Sequence, residues 1–322
     1  MKQVFVTRKI PENGIAILRE RGFGVDVSPH DRPLTQDELI EFLQKKPYEA
    51  VLSMLSDRID ARVFDASPST KIFANYAIGY DNFDIAEAKK RGIYLTNTPH
   101  GGVDRVAEHA WALILALSCK VVEGDGYVRA GKFTGFDPML LQGMKVRGRV
   151  LGLVGAGRIG TEVAKIGALG FGMRIAYYDI VRNPEIEELH NATYWPTVEE
   201  VLKQSDIVSL HVPLCDATRH LIDASKMGMM KPSAYLVNTS RGAVVDEVAL
   251  VDALRNGVIA GAGLDVFEHE PAISPGLTEL SNVVLTPHIA SSTVEAREEM
   301  AKMSVQNIVD MFLGGKPTDM VY

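Results

Sequence analysis

The sequence predicts an α/β protein of two domains, each with a parallel sheet between helices. The chain has 322 residues, more than one hydrophobic core usually serves. Short apolar runs alternate with amphipathic segments along both halves of the chain, as they do in βαβ units. Three glycines follow one of these runs at a fixed spacing and open a helical pattern. Together these observations favour two doubly wound domains.

The first domain is predicted to span residues 1–100. It contains five short apolar runs that we interpret as strands, at residues 4–6, 25–27, 50–54, 71–77 and 93–96. Between the second and third runs, Thr35 precedes Glu38 by the spacing of a capping box and opens a helix that extends to Lys45. Strands that alternate with helices predict a parallel sheet.

The segment between the two domains is first apolar and then rich in glycine. Residues 104–118 predict a helix too apolar for an exposed surface, so it connects domains, contacts a second subunit, or does both. Residues 126–148 show no helical period, and loops of this length are usually functional. We expect an arm that packs on a second copy of the chain, because a surface loop would expose Phe133, Phe136 and Met139.

The second domain begins with a strand at residues 150–154, followed by the motif GxGxxG. Gly155 permits the tight turn, Gly157 lets a pyrophosphate approach the backbone, and Gly160 lets the next helix pack closely on the strand. The N terminus of that helix presents N–H groups and the positive end of its dipole to the phosphates. Its apolar positions recur every three or four residues and predict a buried face: Ile159, Val163, Ile166 and Leu169.

An acidic residue ends the next predicted strand, residues 173–178. Asp179 stands where the adenosine ribose of a dinucleotide would lie, and its carboxylate would accept both ribose hydroxyls and repel a 2′-phosphate. The sequence therefore favours NAD over NADP, although Arg182 could accommodate the phosphate. A glycine-rich turn in an ordinary α/β domain would explain the glycines but would leave this acid to chance.

The rest of the second domain continues the alternation of strands and helices. Further strands are predicted at residues 207–211, 234–238, 259–265 and 283–285. The total of six matches a sheet built from two mononucleotide-binding halves. Helices are predicted at residues 197–203 and 248–255, capped by Thr197 and Asp246. A last amphipathic helix, residues 293–312, is expected to return to the first domain.

Three ionisable residues directly follow strands of the second domain, where ligands bind in open α/β sheets. Arg241 offers a planar guanidinium that suits a carboxylate and keeps its charge. His288 can exchange a proton with a hydroxyl while hydride moves to or from a nicotinamide, and Glu270 can fix its tautomer. Singly, each residue has an ordinary structural explanation, as a surface ion pair, a solvated turn or a loop cap. Together they predict a hydride-transfer site.

Composition and charge narrow the range of partners. The net charge of −7 without a basic block argues against nucleic acid or an anionic membrane as a partner. The longest apolar stretch, residues 110–117, is too short to span a bilayer, and we expect a cytoplasmic protein. Cys119 and Cys215 suggest a reducing compartment, and we expect both thiols to be buried and inert. No metal site is expected.

Several stretches resemble the D-isomer-specific 2-hydroxyacid dehydrogenase family. They include VGAGRIG, NTSRGAVVDE, AGLDVFEHEP and NVVLTPHIASST, and blocks such as ANYAIGYDNFD extend the resemblance over nearly the whole chain. LSMLSDRID and GFDPMLLQG are most similar to the glyoxylate and hydroxypyruvate reductase branch. The resemblance implies a flavodoxin-like substrate-binding domain, residues 1–100 completed by 290–322, and a Rossmann NAD-binding domain, residues 101–289, with a hinged cleft between them. It also implies a homodimer clasped through residues 101–148.

The resemblance further implies a reaction, the NAD-dependent reduction of a small 2-oxo acid such as glyoxylate or hydroxypyruvate to the D-2-hydroxy acid. Arg241 would bind the carboxylate and keto oxygen, His288 would be the acid/base, and Glu270 would be its partner. The backbone amides of Ile78 and Gly79 would hold the substrate carboxylate. Cofactor contacts are implied for Gly155, Gly157, Arg158, Ile159, Gly160, Asp179, Pro213, Thr218, Thr239, Ser240, Asp265 and Ala290.

The chain departs from the family pattern at three places. His100 stands where most relatives have glycine, and a local hydrogen bond explains it better than a ligand contact does. Phe133 and Phe136 stand where tryptophans are usual in the arm. The stretch between Gly160 and Asp179 is one residue longer than usual, and we expect the helix to absorb the extra residue.

Other functions are compatible with the same fold. A phosphoglycerate dehydrogenase would be expected to carry long regulatory tails and a phosphate-binding cluster, which the sequence does not suggest. Formate dehydrogenase relatives lack the acid at the position of Glu270. A corepressor-like protein that senses NAD is the alternative from another class, but the presence of Arg241, Glu270 and His288 favours an enzyme.

Overall fold

Two parallel sheets organise the chain, which the computed structural model describes from Met1 to Tyr322. The chain divides into unit 1, which comprises Met1–Gly102 with Ser292–Tyr322, and unit 2, which comprises Val103–Ser291. Each unit has one parallel sheet with helices, so the predicted α/β class is confirmed. No helix is both long enough and apolar enough to cross a membrane.

Unit 1 is built on five parallel strands that fall on the five predicted apolar runs. These are β1 (Gln3–Val6), β2 (Gly24–Val27), β3 (Ala50–Ser53), β4 (Ile72–Asn75) and β5 (Tyr94–Thr96). Their order in the sheet, β2-β1-β3-β4-β5, is that of a flavodoxin-like doubly wound sheet.

Four helices connect these strands. They are α1 (Glu12–Glu20), α2 (Gln36–Gln44), α3 (Ala61–Ala66) and α4 (Ile85–Arg91). The predicted capping box of α2 is confirmed. The Thr35 hydroxyl accepts a hydrogen bond from the Glu38 N–H at 3.2 Å, and the Glu38 carboxylate accepts one from the Thr35 N–H at 2.8 Å.

Side chains that alternate along the strands build one core on each face of this sheet. On one face, Val4 packs with α1 and with the C-terminal helix, Val294–Gly314. On the other face, Phe5 packs with apolar residues of α2 and α3. The C-terminal helix lies so close to α1 that a Cβ at Gly14 would be 2.9 Å from the Cβ of Ala301. The last helix of the chain therefore completes the core of unit 1.

Unit 2 is built on seven parallel strands. These are β6 (Val150–Val154), β7 (Arg174–Tyr178), β8 (Thr193–Tyr194), β9 (Ile207–Leu210), β10 (Tyr235–Asn238), β11 (Gly261–Leu264) and β12 (Val283–Leu285). They lie in the order β12-β11-β10-β9-β6-β7-β8, so the chain runs from β6 to one edge and returns to β9 on the other side of β6. Open α/β sheets bind their ligands at such a switch point. The sequence missed β8, because two residues are too few for an alternating pattern.

Seven helices accompany this sheet. They are α5 (Val103–Ser118), α6 (Val121–Arg129), α7 (Arg158–Lys165), α8 (Pro184–His190), α9 (Val198–Gln204), α10 (Ala224–Met227) and α11 (Glu247–Arg255). The predicted caps are present, since the side chains of Thr197 and Asp246 accept hydrogen bonds from the N–H groups of Glu200 and Ala249. The predicted start of the irregular arm is wrong. α6 extends into it because a helix can tolerate the two glycines of VVEGDGYVR at some cost.

The apolar helix α5 owes its composition to burial within unit 2. The Trp111 indole donates a hydrogen bond to the Val163 carbonyl of α7 at 3.1 Å. Leu113 lies against β11, where a Cβ at Gly263 would be 3.0 Å from the Leu113 Cβ. The small residues of the sheet thus let the helix approach closely.

The helix α7 ends in a π-helical turn, Ile166–Gly170, within the stretch that the resemblance implies is one residue longer than usual. A π turn holds one more residue than an α-helical turn, so the side chains beyond it change face. Gly167 is buried, and Leu169, which the regular period assigned to the buried face, is 70% exposed. The prediction for Leu169 is therefore wrong, because it assumed an unbroken α-helical period.

Deleting Ala168 should be tolerated, because it removes the extra residue and leaves a regular α-helix with Leu169 on the apolar face. We expect the variant to melt within about 4 °C of the parent protein, a loss of about 1–2 kcal/mol. Thermal unfolding followed by circular dichroism measures this. Deleting Asp252, an exposed residue of the regular helix α11, is the control and should cost far more. Equal losses for the two deletions would contradict the proposed role of the π turn.

Candidate active site

Three neighbouring strands of unit 2 carry the predicted catalytic residues to one edge of the sheet. β10, β11 and β12 are adjacent and parallel, so their carboxyl ends lie side by side. Arg241 follows β10, Glu270 follows β11, and His288 follows β12. Residues that are far apart in the sequence are thereby gathered at one place in the fold.

The His288 imidazole and the Glu270 carboxylate form a hydrogen-bonded pair. Their Nδ1 and Oε2 atoms are 2.9 Å apart, and the other carboxylate oxygen of Glu270 accepts a hydrogen bond from the Phe267 N–H at 3.0 Å. Both side chains are about one third exposed, at 37% and 36%. Because the carboxylate fixes Nδ1, the remaining ring nitrogen, Nε2, is the one that can exchange a proton with a ligand.

The carboxyl group of Glu270 is held in its ionised form. Burial alone raises its pKa, but the hydrogen bond and charge of His288, the Phe267 N–H and the charge of Arg241 together lower the pKa below its ordinary value. An ionised carboxylate against a ring nitrogen stabilises a protonated imidazole. The pair therefore has the geometry of a ring nitrogen held in orientation by a carboxylate.

The turn that carries Arg241 is shaped by a buried asparagine at the end of β10. Asn238 donates a hydrogen bond from Nδ2 to the Arg241 carbonyl at 2.9 Å and accepts one from the Ser240 hydroxyl at 2.8 Å. The Arg241 guanidinium donates to the Ser240 carbonyl at 2.7 Å. This turn directs a permanent positive charge toward the same edge, and that charge contributes to the lowered pKa of Glu270.

A fully buried carboxylate, Asp265, fixes the loop on both sides of His288. It accepts hydrogen bonds from the Thr286 hydroxyl at 2.6 Å and from the N–H groups of Ile289 and Ala290 at 2.9 and 2.8 Å. Its own carbonyl accepts from the His288 N–H at 2.9 Å. These bonds hold His288 in a left-handed backbone conformation, with φ of +54°.

A second histidine, His109 of α5, completes this network. Its Nε2 atom is 3.0 Å from the Thr286 hydroxyl and 3.3 Å from the Asp265 carboxylate. Burial alone raises the pKa of Asp265, but the hydrogen bonds from His109, Thr286 and the two loop amides lower it below its ordinary value. The sequence alone indicates no role for His109 in the site. The available signal was a polar residue on the buried side of an otherwise apolar helix.

The glycine turn after β6 leaves space for a phosphate group. At Gly155, with φ of +98°, a Cβ would lie 2.6 Å from the His211 backbone, and at Gly160 it would lie 2.3 Å from the Gly155 carbonyl. Gly157 is different, because a Cβ there would meet no atom within 4 Å. The first and third glycines are thus required by the packing of the chain itself, and the second leaves a cradle open in front of α7.

The other groups around this cradle also suit a dinucleotide. The α7 helix begins at Arg158 and Ile159 with no capping side chain, so its first N–H groups can receive phosphate oxygens. The Asp179 carboxylate follows β7 and accepts the Ala156 N–H of the turn at 2.7 Å. The Thr239 hydroxyl is buried without a hydrogen-bond partner. These residues fit the cofactor contacts implied by the sequence, which stay a prediction.

The loop after β9 contains two further predicted cofactor contacts and an exposed thiol. The Thr218 hydroxyl donates to the Pro213 carbonyl at 2.6 Å and accepts from the Cys215 N–H at 2.9 Å, so it closes the loop on itself. The hydrogen bond between the Thr218 hydroxyl and the Cys215 thiol is the main reason that the pKa of this thiol is lowered. Cys119 and Cys215 are both exposed and unpaired. The prediction of buried thiols is wrong, because Cys119 lies just beyond the end of α5 and Cys215 lies in the loop after β9.

The predicted carboxylate-binding amides lie in unit 1, in the loop that follows β4. The carbonyls of Ala77, Ile78 and Gly79 accept hydrogen bonds from the Thr98 N–H, the Asn97 amide and the Asn75 amide, at 2.8, 2.6 and 2.9 Å. In a trans peptide the N–H points away from the preceding carbonyl. Because the Ala77 and Ile78 carbonyls are tied within unit 1, the N–H groups of Ile78 and Gly79 point away from the residues that hold these carbonyls. Their role in substrate binding stays a prediction.

Comparisons with known proteins show what the chain is similar to. The family model for the D-isomer specific 2-hydroxyacid dehydrogenase, NAD binding domain, matches residues 111–290. The chain is 48% identical to a glyoxylate reductase of Thermococcus onnurineus, over 99% of this chain and 95% of that protein. A crystal structure of a protein from Thermus thermophilus matches with a TM-score of 0.92 at 40% identity, covering 99% and 100% of the two chains. An NADPH-dependent glyoxylate/hydroxypyruvate reductase of Sinorhizobium meliloti, in complex with NADP and malonate, matches with a TM-score of 0.86 at 33% identity, covering 99% and 96%.

Asp265→Asn should destabilise the protein at neutral pH, because the amide presents a donor where the carboxylate accepts hydrogen bonds. We expect a loss of about 1–3 kcal/mol. The pKa of Asp265 is lower in the folded than in the unfolded protein. Its carboxylate therefore stabilises the folded protein fully above the unfolded pKa of about 4, and this stabilisation is lost as the pH falls through the folded pKa. The difference in the free energy of unfolding between the variant and the parent protein should therefore become smaller below about pH 4.

Urea unfolding at a series of pH values measures this difference. Asp216→Asn is the control, since this exposed aspartate follows Cys215 in a surface loop and should unfold like the parent. A difference for Asp265→Asn that does not change with pH would show that the carboxylate charge is not the source of the stability.

Proposed function

The chain belongs to the D-isomer-specific 2-hydroxyacid dehydrogenase family, and we propose that it reduces glyoxylate to the 2-hydroxy acid with NADH as the cofactor. The observation that carries the proposal is the His288–Glu270 pair, at 2.9 Å, at the same sheet edge as Arg241 and in the same unit as the glycine turn. Hydroxypyruvate is the second substrate that we propose, because the relative from Sinorhizobium meliloti is named for both acids.

In the proposed reaction, NADH, when bound, would supply the hydride that reduces the carbonyl carbon of the acid. Arg241 binds the carboxylate and polarises the keto oxygen with its fixed positive charge. His288, protonated, donates its proton from Nε2 to that oxygen as negative charge develops on it. Glu270 keeps the ring oriented through Nδ1 and stabilises the imidazolium before the transfer. Solvent then returns a proton to His288, which is partly exposed.

NAD is the cofactor that the ribose position favours. Asp179 is fixed against the glycine turn by the Ala156 N–H and by the Val181 N–H, at 2.7 and 3.3 Å. A carboxylate held there can accept the two ribose hydroxyls and repels a phosphate on the 2′-oxygen. The family model that matches this part of the chain is also that of an NAD-binding domain.

We also propose that the protein works in the cytoplasm. Cys119 and Cys215 are exposed and unpaired, and free surface thiols persist best in a reducing compartment. An oxidising compartment would convert exposed thiols to disulfides or higher oxidation states.

The exposed apolar surface of α6 and the arm supports a homodimer. In the arm, Phe133, Phe136 and Met139 are 61%, 92% and 72% exposed. On α6, the valines at positions 121, 122 and 128 are 55%, 53% and 58% exposed. A monomer would leave this apolar patch in water, so we propose that a second copy of the chain covers it.

Initial rates on glyoxylate, hydroxypyruvate, pyruvate and a phenyl-substituted 2-oxo acid, each with NADH and NADPH, test the proposed reaction. We expect the highest kcat/KM for glyoxylate with NADH. His288→Ala should lower kcat by about 10²- to 10⁴-fold, because the proton donor is lost. Arg241→Ala should chiefly raise KM for the acid, by about 10- to 100-fold, because a charged hydrogen-bond donor is lost.

The control for these variants is His269→Ala, an exposed histidine next to Glu270 in the sequence, which should keep the parent rate. Parent-like rates for both His288→Ala and Arg241→Ala would overturn the assignment of the site. A protein that oxidises NADH with none of these acids would overturn the proposed function.

The proposed dimer can be tested by placing charges on the exposed apolar residues of the arm. Phe136→Asp combined with Met139→Asp should yield a monomer at concentrations where the parent protein is a dimer, because a charge would be buried in the apolar interface. Size-exclusion chromatography with light scattering measures the mass. Leu169→Asp, which changes an exposed leucine outside α6 and the arm, should leave the mass unchanged. A monomeric parent protein would contradict the proposal.

A further inference from the structure

The segment that follows the ribose-binding position contains a bidentate ion pair. The Arg182 guanidinium donates from Nη2 to one carboxylate oxygen of Glu187 at 2.6 Å and from Nε to the other at 3.0 Å. The guanidinium also lies over the Tyr194 ring, 5.2 Å from its centroid. The single arginine that closely follows Asp179 is thus engaged by two groups of its own segment.

The carboxylate that holds Arg182 is itself fixed from the interior. The hydroxyl of Tyr177, a fully buried tyrosine of β7, donates to Glu187 and accepts from the Asn183 N–H at 2.9 Å. The Asn183 amide donates in turn to the Ala156 carbonyl of the glycine turn at 2.7 Å. The hydrogen bonds of Arg182 and Tyr177 lower the pKa of Glu187, so its carboxylate is charged at neutral pH. Glu187 therefore occupies a defined position relative to the turn.

We propose that Glu187 is a specificity-determining residue that withholds the Arg182 guanidinium from a 2′-phosphate and so favours NADH over NADPH. This inference rests on the proposed function, in which Asp179 receives the ribose. It adds a second discrimination to the repulsion by Asp179. A phosphate on the 2′-oxygen would be repelled by the Asp179 carboxylate and would not be attracted by the Arg182 guanidinium, because Glu187 holds it.

The free energy needed to separate Arg182 from Glu187 determines how strongly the pair disfavours NADPH. To reach a phosphate, the guanidinium must leave both oxygens of Glu187 and the face of Tyr194. The arginine side chain is 63% exposed, so water and salt weaken the pair, and a release of this kind changes an equilibrium by about threefold. Glu187→Gln keeps the size of the side chain and an oxygen that can accept from Tyr177, but removes the charge that binds Arg182.

Equilibrium binding of NADH and NADPH to the intact protein, followed by nucleotide fluorescence, tests the inference. Glu187→Gln should lower the Kd for NADPH about threefold and leave the Kd for NADH within a factor of about two. Glu188→Gln is the matched control, because it removes the same charge from the next residue of α8, which is exposed and does not contact Arg182. It should leave the ratio of the two Kd values unchanged. The Kd of 2′,5′-ADP, measured by competition, should change in the same direction as the Kd for NADPH.

Arg182→Ala separates the roles of the two residues. In the parent protein it should weaken NADPH binding less than about twofold, because the guanidinium is already withheld. In the Glu187→Gln background it should cancel the gain. A large loss of NADPH affinity from Arg182→Ala alone, or a gain from Glu187→Gln that persists without Arg182, would overturn the inference.

The result for NADH distinguishes failure of the inference from failure of the proposed function. If NADH binds and Glu187→Gln behaves like Glu188→Gln, only the inference is overturned. If neither dinucleotide binds the parent protein, the proposed function fails and the inference fails with it.

Discussion

The arrangement of the site depends on one buried carboxylate. Asp265 is fully buried at the end of β11, and an ionised group in such a place is tolerated only if hydrogen bonds replace the lost water. His109 of α5, Thr286 and the two N–H groups that follow His288 supply them. The loop that carries His288 therefore cannot move without leaving a buried charge poorly compensated. The stability of unit 2 and the geometry of its site rest on the same contacts.

Parallel strands explain why this site can be assembled at all. In a parallel sheet every strand ends at the same edge, and a long connection separates each strand from its neighbour. Arg241, Glu270 and His288 are thus distant in sequence and adjacent in the sheet. The same rule places the glycine turn after β6 and Asp179 after β7. The proposed cofactor contacts and the proposed proton-transfer residues therefore both depend on this property of parallel sheets.

The sequence predicts those features whose signal is local. Apolar runs, helix caps and the glycine turn lie within a few residues, and so does the position of each ionisable residue after a strand. The sequence does not predict β8, which is too short, or the exposure of Leu169, because the π turn changes the helical phase. It also does not predict the contact of His109 with Thr286, which lies 177 residues away along the chain. Such contacts depend on the packing of whole elements.

The loop after β4 separates two kinds of recognition. Its three tied carbonyls orient main-chain N–H groups, and every residue except proline has such a group. Side chains at positions 78 and 79 can therefore be exchanged, except for proline, without removing these main-chain donors. In the proposed function, a substitution at either position would change the shape of the acid that is accepted and would keep the main-chain donors that bind its carboxylate.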